Sequence, residues 1–112
     1  MEFQLKGPIT AQRAEAATEW LVHNAALIAQ LKGNRDRAEY MVKRAEALAF
    51  ELATGSAEAR RQAAKGSDRY LEAVEEHVQA IVAHEEAMGL RKAAETLVEV
   101  FRSLNANLRR AP

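Results

Sequence analysis

Thr54-Gly55-Ser56-Ala57-Glu58-Ala59-Arg60-Arg61-Gln62-Ala63-Ala64-Lys65-Gly66-Ser67-Asp68 is the stretch that decides the fold. It holds the clear stops in a chain otherwise built from helix formers. Gly55 suits the left-handed position that follows a last helical turn, and Ser56 can cap the helix after it. Gly66-Ser67 repeats that stop-and-cap signal, and Ser67-Asp68 opens a further helix. Ala57 to Lys65 between them reads as a short helix of its own. Outward from this stretch no breaker of equal strength occurs. Pro8 and Pro112 lie near the ends, and no proline interrupts residues 9 to 111. Strong helix formers without breakers predict an all-α chain. The expected plan is one helical domain over 1–112. A 1–9 arm leads to a long helix over 10–54 with Thr10 as its N-cap. A short helix over 57–65 and a second long helix over 67–108 follow, with a frayed tail from Arg109. The fold class is then a long antiparallel helical hairpin, coiled-coil-like, with the short helix at its tip.

The spacing of apolar residues supports two long helices. In the first, positions 17, 24, 31, 38, 45 and 52 pair with 20, 27, 34, 41 and 48 on a seven-residue repeat. Nine of these eleven are apolar, which is the pattern of a coiled-coil seam. Asn24 and Asn34 are its polar members, a type of residue that fixes register in coiled coils. Gly33 marks a soft spot, since glycine inside a helix costs about 1 kcal/mol against alanine. The last long helix carries two stripes. Leu71, Val74, Val78 and Ile81 form one. Ala83, Ala87, Leu90, Ala94, Leu97, Phe101, Leu104 and Leu108 form the other. They are out of phase near His84 and Gly89, which predicts a packed face that swings round. Hairpin folding would bring Trp20 near Phe101 and Leu104, and Leu52 near Leu71. Trp20, Leu27, Leu31, Met41, Leu48, Leu90, Leu97, Phe101 and Leu104 are the candidate core and dimer seam. Phe3 reads as a further core residue. Both seams are rich in alanine, and two helices bury little compared with a globule. A homodimer that closes a four-helix bundle is therefore expected.

Charge narrows the function classes. Sixteen Lys+Arg balance 16 Asp+Glu, for a formal net charge of zero. That argues against binding nucleic acid through bulk charge. The neutrality is built from blocks. Residues 32–44 are net +3, residues 72–86 net −5 and residues 91–110 net +3. In a hairpin, Arg37, Lys43 and Arg44 would lie opposite the acidic block and help select register. The chain has no cysteine, which excludes disulfides, thiolate metal sites and thiol catalysis. The start lacks the basic and apolar regions of a signal peptide, and no run has the length of a membrane span. The expected location is cytoplasmic, without membrane contact.

Candidate chemistry is sparse. His77, His84 and five glutamates crowd residues 72–86, but the histidines are seven apart, about 10.5 Å along a helix, too far for one ion. No metal and no cofactor are assigned. There is no phosphate loop and no nucleophile constellation, so the chain reads as a non-enzyme. Two basic groups remain for nucleic acid or a protein partner: Arg60, Arg61, Lys65 and Arg69 around the tip, and Arg102, Arg109 and Arg110 at the C-terminal end. Arginine can hold phosphates, with Asn105 and Asn107 placed for base edges.

Ala94-Glu95-Thr96-Leu97-Val98-Glu99-Val100-Phe101-Arg102-Ser103-Leu104-Asn105-Ala106-Asn107-Leu108-Arg109-Arg110 resembles the closing helix of a family of short all-helical phage and prophage proteins. Ala38-Glu39-Tyr40, Ser67-Asp68-Arg69-Tyr70 and the Ala/Arg-rich link from Ser56 to Ala64 resemble it too. The likeness covers about residues 25 to 110, with Gly33-Asn34 as a departure. Genes of that family lie among phage replication and recombination genes. With the dimer expected from the seams, the resemblance implies a host-cytoplasmic accessory of those processes that docks on a protein partner, or an inhibitor of a host nuclease or defence complex. A small DNA-binding accessory is the alternative.

Overall fold

The computed structural model describes residues 6–110, and every regular element in that range is helical. Helix α1 spans Ala11–Leu52, α2 spans Ala57–Lys65 and α3 spans Asp68–Arg110. The two long helices pair antiparallel, with the short one between them in sequence. Phe3 and the end of the tail lie outside the described residues.

The caps follow the sequence closely. The Thr10 hydroxyl accepts from the Arg13 amide at 3.2 Å, so α1 starts one residue after its cap. Ser56 caps α2 by accepting from the Ala59 amide at 3.1 Å. Gly55 before it has φ +106°, a conformation that side-chain-bearing residues resist. At the second stop the mechanism differs. Gly66 has φ −93°, so glycine's freedom is not used there, and its amide closes on the Gln62 carbonyl. Ser67 does the rest: its Oγ donates to the Ala64 carbonyl at 2.7 Å and accepts from the Tyr70 amide at 3.3 Å. Helix α1 ends at Leu52 rather than Thr54, and α3 continues through Arg110 rather than fraying at Arg109.

Two compact units divide the chain. One joins the described residues up to Ile28 with those from Glu86, and the other is Ala29–Glu85. In the first, α1 turns Ala14, Ala17, Leu21, Asn24 and Ile28 inward, and α3 turns Ala87, Ala94, Val98, Phe101 and Asn105 inward. In the second, Leu31, Arg35, Ala38, Val42, Ala45 and Ala49 of α1 are the inward row. Tyr70, Ala73, His77, Ala80 and His84 of α3 are its counterpart. All of these are buried or half-buried, and on each helix they follow three-four spacing, with the exposed Arg91 at the one skipped position.

That spacing corrects two expectations. On α1 the row through 17, 24, 31, 38 and 45 is inward, but its companion lies one residue later than expected, at 21, 28, 35, 42 and 49. Leu27, Asn34 and Met41 are consequently exposed, Leu48 is half-buried, and Trp20 is buried at the edge of the seam. On α3 the inward row keeps one register through residues 70 to 105, with Arg91 its exposed member. The apparent phase shift belongs to the apolar residues beside the seam. Leu71 and Val78 are exposed, as are Leu90, Leu104 and Leu108, while the seam itself carries alanines and both histidines. Leu52 is 77% exposed, so an apolar contact with Leu71 does not bury it. Gly33 leaves α1 helical throughout.

Candidate interaction surfaces

A packed interior of this chain is mostly alanine. Among the described residues the buried ones are Ala14, Ala17, Trp20, Ile28, Ala45, Ala64, Ala87, Ala94 and Leu97. Small side chains let paired helices approach closely, at the short end of the usual 8–10 Å separation. They also remove little apolar area from water, at about 25 cal/mol per Å². The large apolar residues are outside instead: Leu27 and Leu104 are each 47% exposed, Met41 44% and Leu90 41%. Of the nine residues expected in a core or dimer seam, Trp20 and Leu97 are buried and Leu31, Leu48 and Phe101 are half-buried. Leu27, Met41, Leu90 and Leu104 are not core residues of a single chain.

The large apolar residues beside the seam, exposed or not, have an order. On α1, Trp20, Leu27, Met41 and Leu48 each stand one residue before a seam position. On α3, Leu90, Leu97 and Leu104 do the same. In the first unit this places Trp20, Leu27, Leu90, Leu97 and Leu104 along the same side of the helix pair. In the second unit Met41 and Leu48 border a groove of about 310 Å³ with Ala73 and the charged Arg44, Arg69, Glu72 and Glu76. A further groove of about 460 Å³ in the first unit is lined by Ile9, Gly89, Ala93, Thr96, Leu97 and Val100. Its N-terminal edge is held by Arg13, whose Nη1 donates to the carbonyls of Gly7 and Pro8 at 2.7 and 2.6 Å.

The basic candidates divide between the two units. Arg60 is engaged inside the chain: its guanidinium lies 4.3 Å from the Phe50 ring centre, and its Nε donates to the Phe50 carbonyl at 3.2 Å. Helix α1 has no basic residue in its last turn. Arg60 therefore supplies the cation that its free carbonyls favour. Arg61 lies 3.6 Å from Glu58 of its own helix. Lys65 ends α2, and Arg109 and Arg110 end α3, where positive charge complements the helix dipole. Arg69 borders the groove with Glu72 and Glu76, and Arg102 is exposed. Arg60, Arg61, Lys65 and Arg69 belong to one unit, and Arg102, Arg109 and Arg110 to the other.

The charge blocks meet at one place that the sequence pattern did not single out. Arg35 sits on the inward row of α1, and its Nη1 donates to Glu85 at 2.8 Å and to His84 Nδ1 at 3.2 Å. Arginine has no acceptor, so Nδ1 must be the bare nitrogen of that ring. Among the described residues, Arg37, Lys43 and Arg44 form no ion pair with the acidic block. Among them, too, no three His, Asp or Glu side chains gather as metal ligands. Asn24 donates to the Trp20 carbonyl in its own helix rather than across the seam. No helix of the described chain is long and apolar enough to cross a membrane.

Compared with known proteins, the chain matches no family model, no curated protein and no solved structure.

Proposed function

We propose that the chain is a non-enzymatic helical interaction protein that works as a homodimer and docks on a protein partner. One observation carries this reading. The chain keeps alanine inside and leaves Leu27, Met41, Leu90 and Leu104 in water. An exposed apolar patch rimmed by polar residues marks an association face, and these rows beside the seam are the candidates for one. Two such hairpins closing on these rows would form a four-helix core and remove the exposed leucines from water. The resemblance to phage helical proteins suggests the setting: an accessory of replication or recombination, or an inhibitor of a host nuclease or defence complex, in the cytoplasm of the host.

Sedimentation equilibrium tests the oligomer. A dimer whose dissociation constant rises when Leu27 or Leu90 becomes Lys is the expected result, and a strictly monomeric chain overturns the dimer. DNA binding is the second reading, with Arg61, Lys65, Arg69, Arg102, Arg109 and Arg110 as its contacts. Arg60 is less free for it, because its guanidinium is already placed on Phe50. A salt-dependent mobility shift lost on changing Arg109 and Arg110 to Ala would favour that reading.

A further inference from the structure

We infer that the outer face of α3 from Gly89 to Leu104 pairs antiparallel with the same face of a second copy of the chain. This inference rests on the dimer reading above and narrows its contact to α3, with Leu90 and Leu104 at the edge and Leu27 and Met41 of α1 outside it. Gly89, Ala93, Thr96 and Val100 follow four-three-four spacing, so they form one uncharged line on the side of α3 away from its seam. They line the groove of about 460 Å³ beside Ile9. A Cβ built on Gly89 meets nothing of its own chain within 4 Å. Packing within the chain therefore does not require the cost of glycine in mid-helix. Leu90 and Leu104, both exposed, run along one flank of the line, and Leu97 forms its floor.

Charge on the other flank selects the occupant. Lys92 and Glu99 are exposed, seven residues apart, and neither forms an ion pair among the described residues. Their neighbours Arg91 and Glu95 are already joined at 2.8 Å. In a two-fold antiparallel pairing centred near Thr96, Lys92 falls opposite Glu99 of the second copy, and the symmetry makes that contact twice. With that centre Leu90 falls within about a turn of Leu97 and Leu104 of the second copy, and Val100 within about a turn of Ala93. A parallel pairing would set lysine on lysine and glutamate on glutamate. The face is thus complementary to itself in one direction only.

Sedimentation equilibrium on the full chain tests it, with circular dichroism to check helicity. Lys92→Glu and Glu99→Lys should each weaken the dimer by about tenfold. The double variant carrying both should return to within about threefold of the parent. Thr96→Arg, at the centre of the face, should weaken it by about a hundredfold or more. All three positions are exposed on the single chain, so helicity should hold. A dimer indifferent to these changes but lost on Met41→Lys overturns this face and leaves the dimer reading standing. A monomeric parent chain overturns both. A parent that is monomeric but dimerises as Phe3→Asp assigns the face to the chain's own N-terminal segment, which also overturns the inference.

Discussion

Arg35 shows how a single position can be hidden in a sequence and plain in a structure. As a member of a basic block it reads as one solvated charge among five. On α1 it occupies an inward position, about one-third exposed, against His84 and Glu85. A seam chosen to collect the most apolar residues passes through Asn34, one residue away, and so misses it. An ion pair this exposed contributes about 0–1 kcal/mol, while an aliphatic side chain at the same place would bury more apolar area. Arg35→Leu should therefore leave the urea midpoint unchanged or raise it. Arg35→Ala, which loses both the pair and the packing of the arginine stem, should lower stability by about 1 kcal/mol. Equal losses in both variants would show that the ion pair itself dominates.

At the scale of elements, local chemistry was legible and the facing register was not. Thr10, Gly55, Ser56 and Ser67 announce the helix ends, because capping depends on a few neighbouring atoms. The inward rows depend on a partner helix. Alanine carries too little hydrophobic contrast to mark such a row, so the larger Leu27, Met41 and Leu90 dominate any pattern count. The candidate contacts were legible as residues and not as an arrangement: the tip arginines stand out in sequence, but that Arg60 closes onto the end of α1 needs the fold. Two glycines test the element-level account. Gly33 is helical with open space where a Cβ would stand, so Gly33→Ala should stabilise by about 1 kcal/mol. Gly55 has positive φ and a built Cβ 3.4 Å from that of Ala59, so Gly55→Ala should destabilise by about 1 kcal/mol or more. Thermal unfolding of the two variants checks the opposite signs.

Across the whole molecule, burial is uneven. The first unit holds Trp20, Ile28 and Leu97 besides four of the buried alanines, while the second holds Ala45 and Ala64. Local opening follows the amount of apolar area released. Amide hydrogen exchange should therefore be slower over residues 14–28 and 87–101 than over 35–49 and 70–84 in the isolated chain. Uniform protection in both would mean that the exposed rows of the second unit are covered by something other than its own helices.

The alanine seam has a consequence for how the sequence can drift. Mutation in an ordinary core runs in both directions, since a leucine can shrink or a valine can grow. At Ala17, Ala45, Ala87 and Ala94 almost every replacement adds volume between helices already in contact, and overpacking costs about 1–3 kcal/mol. Such positions tolerate little besides glycine and serine. Leu27, Leu90 and Leu104 beside the seam face water and can change at small cost to the single chain. In a set of descendants of this sequence, a fixed alanine ladder beside drifting leucines would mark a lone hairpin. Leucines held as firmly as the alanines would record selection by a partner.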